Sequence, residues 1–242
     1  MITISHGGDI GDIIYSLPTV EAILKKEKQK QCIFYLYLNN EHARMNRTLA
    51  EFIKPLLLYQ PYIKEVNIVE NLPKIDYNLD VWRQNKDIRN RHIAFAHADS
   101  QHLEVDISKA WLKVPKVKKF DVVLLARSGR NRSKNFRWNE VFKGMKGKFA
   151  FVGTVQEYED LHFQGVTHLK VKDALHLAKH IKACNLFVGN QSFPYSLAEA
   201  TKVNRIQETS ESAPNCLPFG DNAWTSRGSD TNSIIALISL YS

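Results

Sequence analysis

Two aspartates stand in a glycine-rich bend near the start of the chain, in the run His6-Gly-Gly-Asp-Ile-Gly-Asp12. An alternating β-type run precedes the bend, and a hydrophobic run with helical spacing follows it, ending the stretch at Pro18. The pattern predicts a strand, a loop and a helix in succession. Gly7, Gly8 and Gly11 let the backbone turn sharply and approach a ligand closely. A helix starting near Asp12 points free N–H groups and a partial positive charge back into the bend. An anion or a reacting carboxylate fits there. The plain first turn of an α/β domain, with Asp12 as a helix cap, fits the same residues. Two other loops share this polar character. Residues 128–137 carry Arg130, Arg132, Lys134 and Arg137, and residues 189–194 read Gly-Asn-Gln-Ser-Phe-Pro after an apolar run.

These loops need strands and helices to hold them. The first helix is expected to continue to residue 30. Strands are expected at 32–38, 66–69 and 77–82, and a helix at 45–59 stopped by Pro61. Residues 83–91 read as a loop or a solvated helix, 93–96 as a short strand, and 103–112 as a short helix. The basic, proline-containing run 113–119 reads as a domain boundary. Beyond it, 120–126 is a near-continuous apolar run, as in a strand of a sheet covered on both faces. Helices are expected at 138–145 and 156–161, with strands at 149–152 and 166–171. A helix capped by Asp173, a strand at 186–189, a helix at 195–201 and a strand at 203–207 follow. Residues 208–229 read as loop and 231–240 as a closing amphipathic helix. Such alternation predicts an α/β fold of two doubly wound, Rossmann-like domains facing a cleft. Residues 1–115 form one domain and 116–229 the other, with 230–242 packing back on the body. In such sheets ligands bind beyond the carboxyl ends of the strands. The three polar loops sit there.

The 242 residues are 44% hydrophobic, ample for a packed core. No apolar run is long enough to span a bilayer and no leader pattern is evident, so stable membrane insertion is not expected and a cytoplasmic location is. Cys32, Cys184 and Cys216 are scattered, which suggests neither a disulfide framework nor a metal site. His176 and His180 are spaced for one helix face, but two ligands do not close a zinc site. The net charge of +8 favours polyanionic partners such as nucleic acid, nucleotides or an anionic surface.

Three stretches together resemble family 9 glycosyltransferases, the heptosyltransferase-like enzymes, and most closely their short phage-encoded members. Residues 10–18, Ile-Gly-Asp-Ile-Ile-Tyr-Ser-Leu-Pro, resemble the family's opening loop and helix. Residues 186–200, with Gly189-Asn-Gln-Ser192, resemble its donor motif, and Arg137-Trp138 its basic residue before tryptophan. Gln191 stands where the family has aspartate, Phe193 where it has glycine, and Ser196 where it has histidine.

The resemblance implies a compact GT-B arrangement and metal-independent transfer of a sugar from a nucleotide-diphosphate sugar to a hydroxyl, with no cofactor. Asp12 is the implied base, with Asp9 as competitor. Gly11, Arg130, Arg132, Lys134, Arg137, Asn190, Gln191 and Ser192 are expected around the diphosphate. Gly153, Thr154 and Glu157 are expected beside the base or ribose. Arg83, Arg89, Arg91 and His97 are expected to bind the acceptor. A hydroxymethylated base in phage DNA is the expected acceptor, which makes duplex DNA a partner and a host cytoplasm the setting. A lipopolysaccharide or surface polysaccharide acceptor, and a nucleotide-sugar binding protein without transfer activity, are the alternatives.

Overall fold

Short apolar runs alternate with helical ones along the chain, and the fold pairs the former as parallel strands. The computed structural model describes residues 1–39, 45–84, 88–119, 121–143, 147–161 and 163–242. Phe120, the expected start of one strand, Lys86 in the basic run and Met145 at an expected helix end lie outside the described residues.

The first half contains β1 (Ile2–His6), α1 (Ile10–Lys26), β2 (Cys32–Tyr37), α2 (Arg47–Leu58), β3 (Ile63–Val69) and β4 (Tyr77–Asn78). A 3-10 turn at Leu79–Gln84 and α3 (Ile93–Ser100) complete it. The second half contains β5 (Val123–Ala126), α4 (Trp138–Phe142), β6 (Phe149–Phe151), α5 (Val155–Glu159) and β7 (Thr167–His168). Then come α6 (Ala174–Ala183), β8 (Leu186–Asn190), α7 (Phe193–Thr201), β9 (Arg205–Glu208), β10 (Ala223–Ser226) and α8 (Thr231–Ser239). The strands form two parallel sheets, ordered β3-β2-β1-β4 and β10-β9-β8-β5-β6-β7.

The second sheet is buried on both faces. Leu124, Ala126 and Phe187 enter one apolar cluster, whereas Val123, Leu125, Leu186 and Val188 enter the other with Ile206, Ile234 and Ile238. Alternation along β5 and β8 sorts the side chains between the two faces. The first cluster also contains Ile4, Ile13, Leu17 and Phe34, so apolar packing runs without a break from the first sheet to the second. Contacts of α1 with α7 and of α2 with α6 carry it across.

Several local expectations are corrected. Residues 93–96 lie in a helix, because His92 caps it by accepting from the Ala94 N–H at 3.2 Å. Ile93, Ala94, Ala96, His97 and Ala98 of that helix are all buried, so its apolar run reads like a strand. Residues 103–112 are irregular, and Trp111 is held by donating its indole N–H to the Ile14 carbonyl at 3.0 Å. The strand expected at 77–82 ends at Asn78 and tightens into the 3-10 turn. The 208–229 segment contains β10, which pairs with β9 despite its polar composition.

Candidate functional site

The bend after β1 leads into α1 with Asp9 at the N-cap position and Asp12 in the first turn. Asp12 is therefore not the cap. The Asp9 side chain makes no capping hydrogen bond, while its carbonyl accepts from the Asp12 N–H at 2.9 Å and the Ile13 N–H at 3.2 Å. A second helix N-terminus faces the same space. Ser192 is the N-cap residue of α7, yet its hydroxyl donates to the Asn190 carbonyl at 3.2 Å instead of capping the helix. A Cβ added to Gly11 would lie 3.8 Å from the Phe193 Cα, so the two helix starts nearly touch. Each presents first-turn amides to an anion.

A cavity of about 610 Å³ opens beside these two helix starts. Asp9, Gly11, Asp12, Arg130, Gly153, Thr154, Glu157, Gln191 and Ser192 all line it, as do Arg127, Ser128 and Asn131. Val152, Val171 and Leu177 give one part an apolar wall, and Leu49, Phe52 and Phe193 another. The Phe52 and Phe193 rings meet edge to face with centroids 6.2 Å apart, joining α2 to α7.

Asp12 is the most perturbed carboxylate here. Burial raises its pKa from 3.8 to about 6, against the opposing pull of Arg83 and His6. Arg83 pairs directly with Asp12 Oδ2. Asp9 instead meets Arg130, whose Nη1 lies 3.1 Å from Asp9 Oδ2, linking the first bend to the basic loop.

The four basic residues expected at the diphosphate separate. Only Arg130 lines the cavity. Arg132 donates to the Ser128 carbonyl at 2.8 Å and lies 3.6 Å from Asp160. Arg137 pairs with Glu140 on the surface at 3.0 Å, and Lys134 is exposed. Phe136 and Trp138 turn inward as apolar anchors and so force their neighbours outward. Arg127, a residue outside the expected set, lines the cavity instead. The signal was its position, directly after an apolar strand. The buried Glu208 carboxylate accepts from Arg127 Nε at 3.0 Å, Arg127 Nη2 at 2.8 Å, the Ser133 N–H at 2.8 Å and the Trp138 indole at 2.7 Å. One carboxylate thus fixes both the arginine and the loop.

Asn190 is a brace for that loop. Its Oδ1 accepts from the Ser128 N–H at 3.0 Å, and its amide donates to the Ser128 carbonyl at 3.1 Å and to the Arg130 carbonyl. Gln191 ties the cavity wall to the segment behind it, donating to the Ala213 carbonyl at 2.6 Å and accepting from the Ser210 N–H at 2.9 Å. Thr154 and Glu157 form a capping box at the start of α5. Cys216 also reaches the cavity, its thiol pushed up to about 12 by burial and by Asp12.

The residues expected at the acceptor scatter. Arg83 is turned to Asp12. Arg89 is exposed, and Arg91 pairs with Asp99 at 2.8 Å and lies over Phe95. His97 is fully buried against His6, with Nε2 atoms 3.1 Å apart, and burial holds its pKa well below the usual range. Among the described residues no three His, Cys, Asp or Glu side chains converge as a metal site. No helix there is long and apolar enough to cross a membrane.

No protein-family model matches the chain, and no curated protein does either. Solved structures are similar in fold. A glycosyl transferase family 9 structure from Veillonella parvula aligns with a TM-score of 0.65 at 14% identity, covering 93% of this chain and 85% of that one. The E. coli heptosyltransferase WaaC with ADP aligns with a TM-score of 0.69 at 11% identity, over 100% and 99% of the two chains. The E. coli ADP-heptose lps heptosyltransferase II aligns with a TM-score of 0.60 at 10% identity, over 99% and 98%. The α/β architecture with parallel sheets is the one these heptosyltransferase structures share.

Proposed function

We propose that this chain transfers a sugar from a nucleoside-diphosphate sugar to a hydroxyl acceptor, using the cavity between the two sheets as the cleft of a GT-B enzyme. One observation carries the reading: the part-buried carboxylate of Asp12, its pKa raised to about 6, shares a cavity with two arginines and two helix N-termini. An acceptor hydroxyl gives its proton to Asp12 as its oxygen bonds to the anomeric carbon. The bond from that carbon to the phosphate oxygen breaks, and the nucleoside diphosphate leaves with the electron pair. A base with a pKa near the working pH suits this step. Arg127, Arg130 and the amides at the starts of α1 and α7 stabilise the charge gained by the leaving group. The compensating positive charge and N–H donors come from the chain itself, so the transfer we propose is metal-independent. Gly153, Thr154 and Glu157, beside Val152, Val171 and Leu177, provide a slot for the nucleoside, with one Glu157 oxygen already taken by the Thr154 N–H at 2.9 Å.

WaaC is seen with ADP, so an ADP-linked sugar is the first donor to test. Net charge of +8 favours a polyanionic acceptor. A hydroxymethylated DNA base fits that charge. The lps heptosyltransferase II neighbour favours an anionic glycan. The protein is incubated with ADP-, UDP- and GDP-sugars and either hydroxymethylated duplex DNA or lipopolysaccharide core, and nucleotide release and product mass are followed. Asp12→Asn is expected to abolish release while keeping nucleotide affinity within a few-fold. Undiminished transfer by that variant overturns the mechanism. Tight nucleotide-sugar binding with no release on any acceptor would leave a binding protein.

A further inference from the structure

Arg83 lies in the 3-10 turn after β4, next to Trp82, whose side chain is buried in the apolar core. The Arg83 guanidinium lies 4.9 Å from the Trp82 ring, and the Trp82 ring lies 4.7 Å from that of His97. His97 is itself locked. Its Nδ1 sits 2.8 Å from the Ile93 carbonyl, which requires a proton on that nitrogen and leaves Nε2 as an acceptor. His6 Nε2, 3.1 Å away, then carries a proton, and His6 Nδ1 lies 2.8 Å from the Gly8 nitrogen and 3.1 Å from Asp80 Oδ1. Asp80 accepts from the Gly7 N–H at 2.7 Å. The bend and the aromatic stack are thereby one interlocked unit. Among the described residues Arg83 Nε is buried with no hydrogen-bond partner, and stacking on Trp82 and the pair with Asp12 orient this side chain. A Cβ on Gly8 would approach Arg83 Nη2 to 3.3 Å and His6 Cε1 to 2.4 Å, so the bend closes tightly over the pair.

We propose that Arg83 is a positioning residue for Asp12: seated on Trp82, it holds one carboxylate oxygen and leaves the other, as an anion, to take the acceptor's hydroxyl proton. This assignment rests on the transfer reading above. It gives Arg83 a task other than binding the acceptor. The charged and titratable groups around Asp12 are Arg83 and Asp80 from the 3-10 turn, His6 from β1, Asp9 from the start of α1, and Cys216 from the 213–219 segment. Asp9 and Asp80 oppose ionisation of Asp12, and Arg83 and His6 favour it. Among these, Arg83 is the group in direct contact with the carboxylate.

The test needs no substrate. The side-chain carboxyl carbon of Asp12, assigned by its loss in Asp12→Asn, is titrated by NMR in the unmodified protein, Arg83→Lys and Arg83→Met. Losing an adjacent opposite charge is expected to raise the Asp12 midpoint by about 1–3 units in Arg83→Met. Arg83→Lys should restore most of the difference, because it keeps the charge. Arg83→Gln replaces the methionine variant if that one does not fold. An Asp12 midpoint unchanged in the uncharged variant overturns the proposal, whatever the turnover. A midpoint that moves as expected upholds the pairing even if Asp12→Asn still transfers sugar, an outcome that would remove the transfer reading instead. With a working acceptor, the acid limb of kcat/KM should move with the NMR midpoint. A purely structural Arg83 would lower activity at every pH and leave the limb in place.

Discussion

Glu208→Gln is the perturbation that most directly separates a built site from an accidental hollow. Glu208 is fully buried, and each of its oxygens accepts from two donors: Arg127 Nη2 and the Ser133 N–H on one, Arg127 Nε and the Trp138 indole on the other. A glutamine keeps the shape but replaces one oxygen with a donor. Whichever way the amide sits, two N–H groups lose their acceptor and the Arg127 guanidinium loses its counter-charge. Removing one partner of a buried pair costs roughly 3–5 kcal/mol. Arg127 retains 18% exposure, so water recovers part of this and about 3 kcal/mol is the better expectation. For a chain of this size each kcal/mol lowers Tm by roughly 2–4 °C. Thermal melts at neutral pH should therefore fall by about 6–12 °C. Glu140→Gln is the control. It removes an exposed pair to Arg137 with the two side chains 66% and 54% accessible, worth at most about 1 kcal/mol. ADP affinity, read by calorimetry, should drop in the first variant and hold in the second. A Tm loss below about 2 °C in Glu208→Gln, with ADP affinity unchanged, would refute the view that this carboxylate organises the cavity wall.

Other outcomes follow from the same geometry. Because the base must be ionised, transfer should fall about tenfold per unit below pH 6, where Asp12 protonates; initial rates that stay flat to well below that pH contradict it. The same raised pKa means that the folded state holds this proton more tightly. Its contribution to stability is present below about pH 4 and lost as pH rises through 6, a slope that Asp12→Asn should remove from denaturation curves. Arg130→Ala should weaken ADP binding about tenfold, as loss of a phosphate contact does, whereas Arg137→Ala should leave it unchanged; equal losses would restore the whole loop as the cradle. Gly228 has φ of +99°, and an added Cβ would sit 1.9 Å from the Asn135 carbonyl oxygen. Gly228→Ala should lower Tm by several degrees, through strain of roughly 1–3 kcal/mol and displacement of the basic loop.

The sequence by itself determined the strand–bend–helix opening, the α/β class and which loops end at the cavity. These are local properties: glycines fix the bend, and apolar periodicity separates strands from helices. Asp9, Gly11, Asp12, Arg130, Gly153, Thr154, Glu157, Gln191 and Ser192 were legible because each lies in a loop that follows a strand or starts a helix, and all of them line one cavity. Segment 93–96 reads as a strand because five of the first six residues of its helix are buried, which leaves too short a polar face there to betray the helical period. The tertiary structure alone decided which charges are free and which are spent. Arg83, Arg127 and Arg137 look alike in sequence. One meets Asp12, one is clamped by a carboxylate 81 residues away, and one pairs with its own helix. Side-chain direction in the basic loop follows from the inward turn of Phe136 and Trp138, and the Asp12 pKa from burial beneath a turn 71 residues downstream. Desolvation and pairing depend on contacts between distant segments, and no local pattern encodes them.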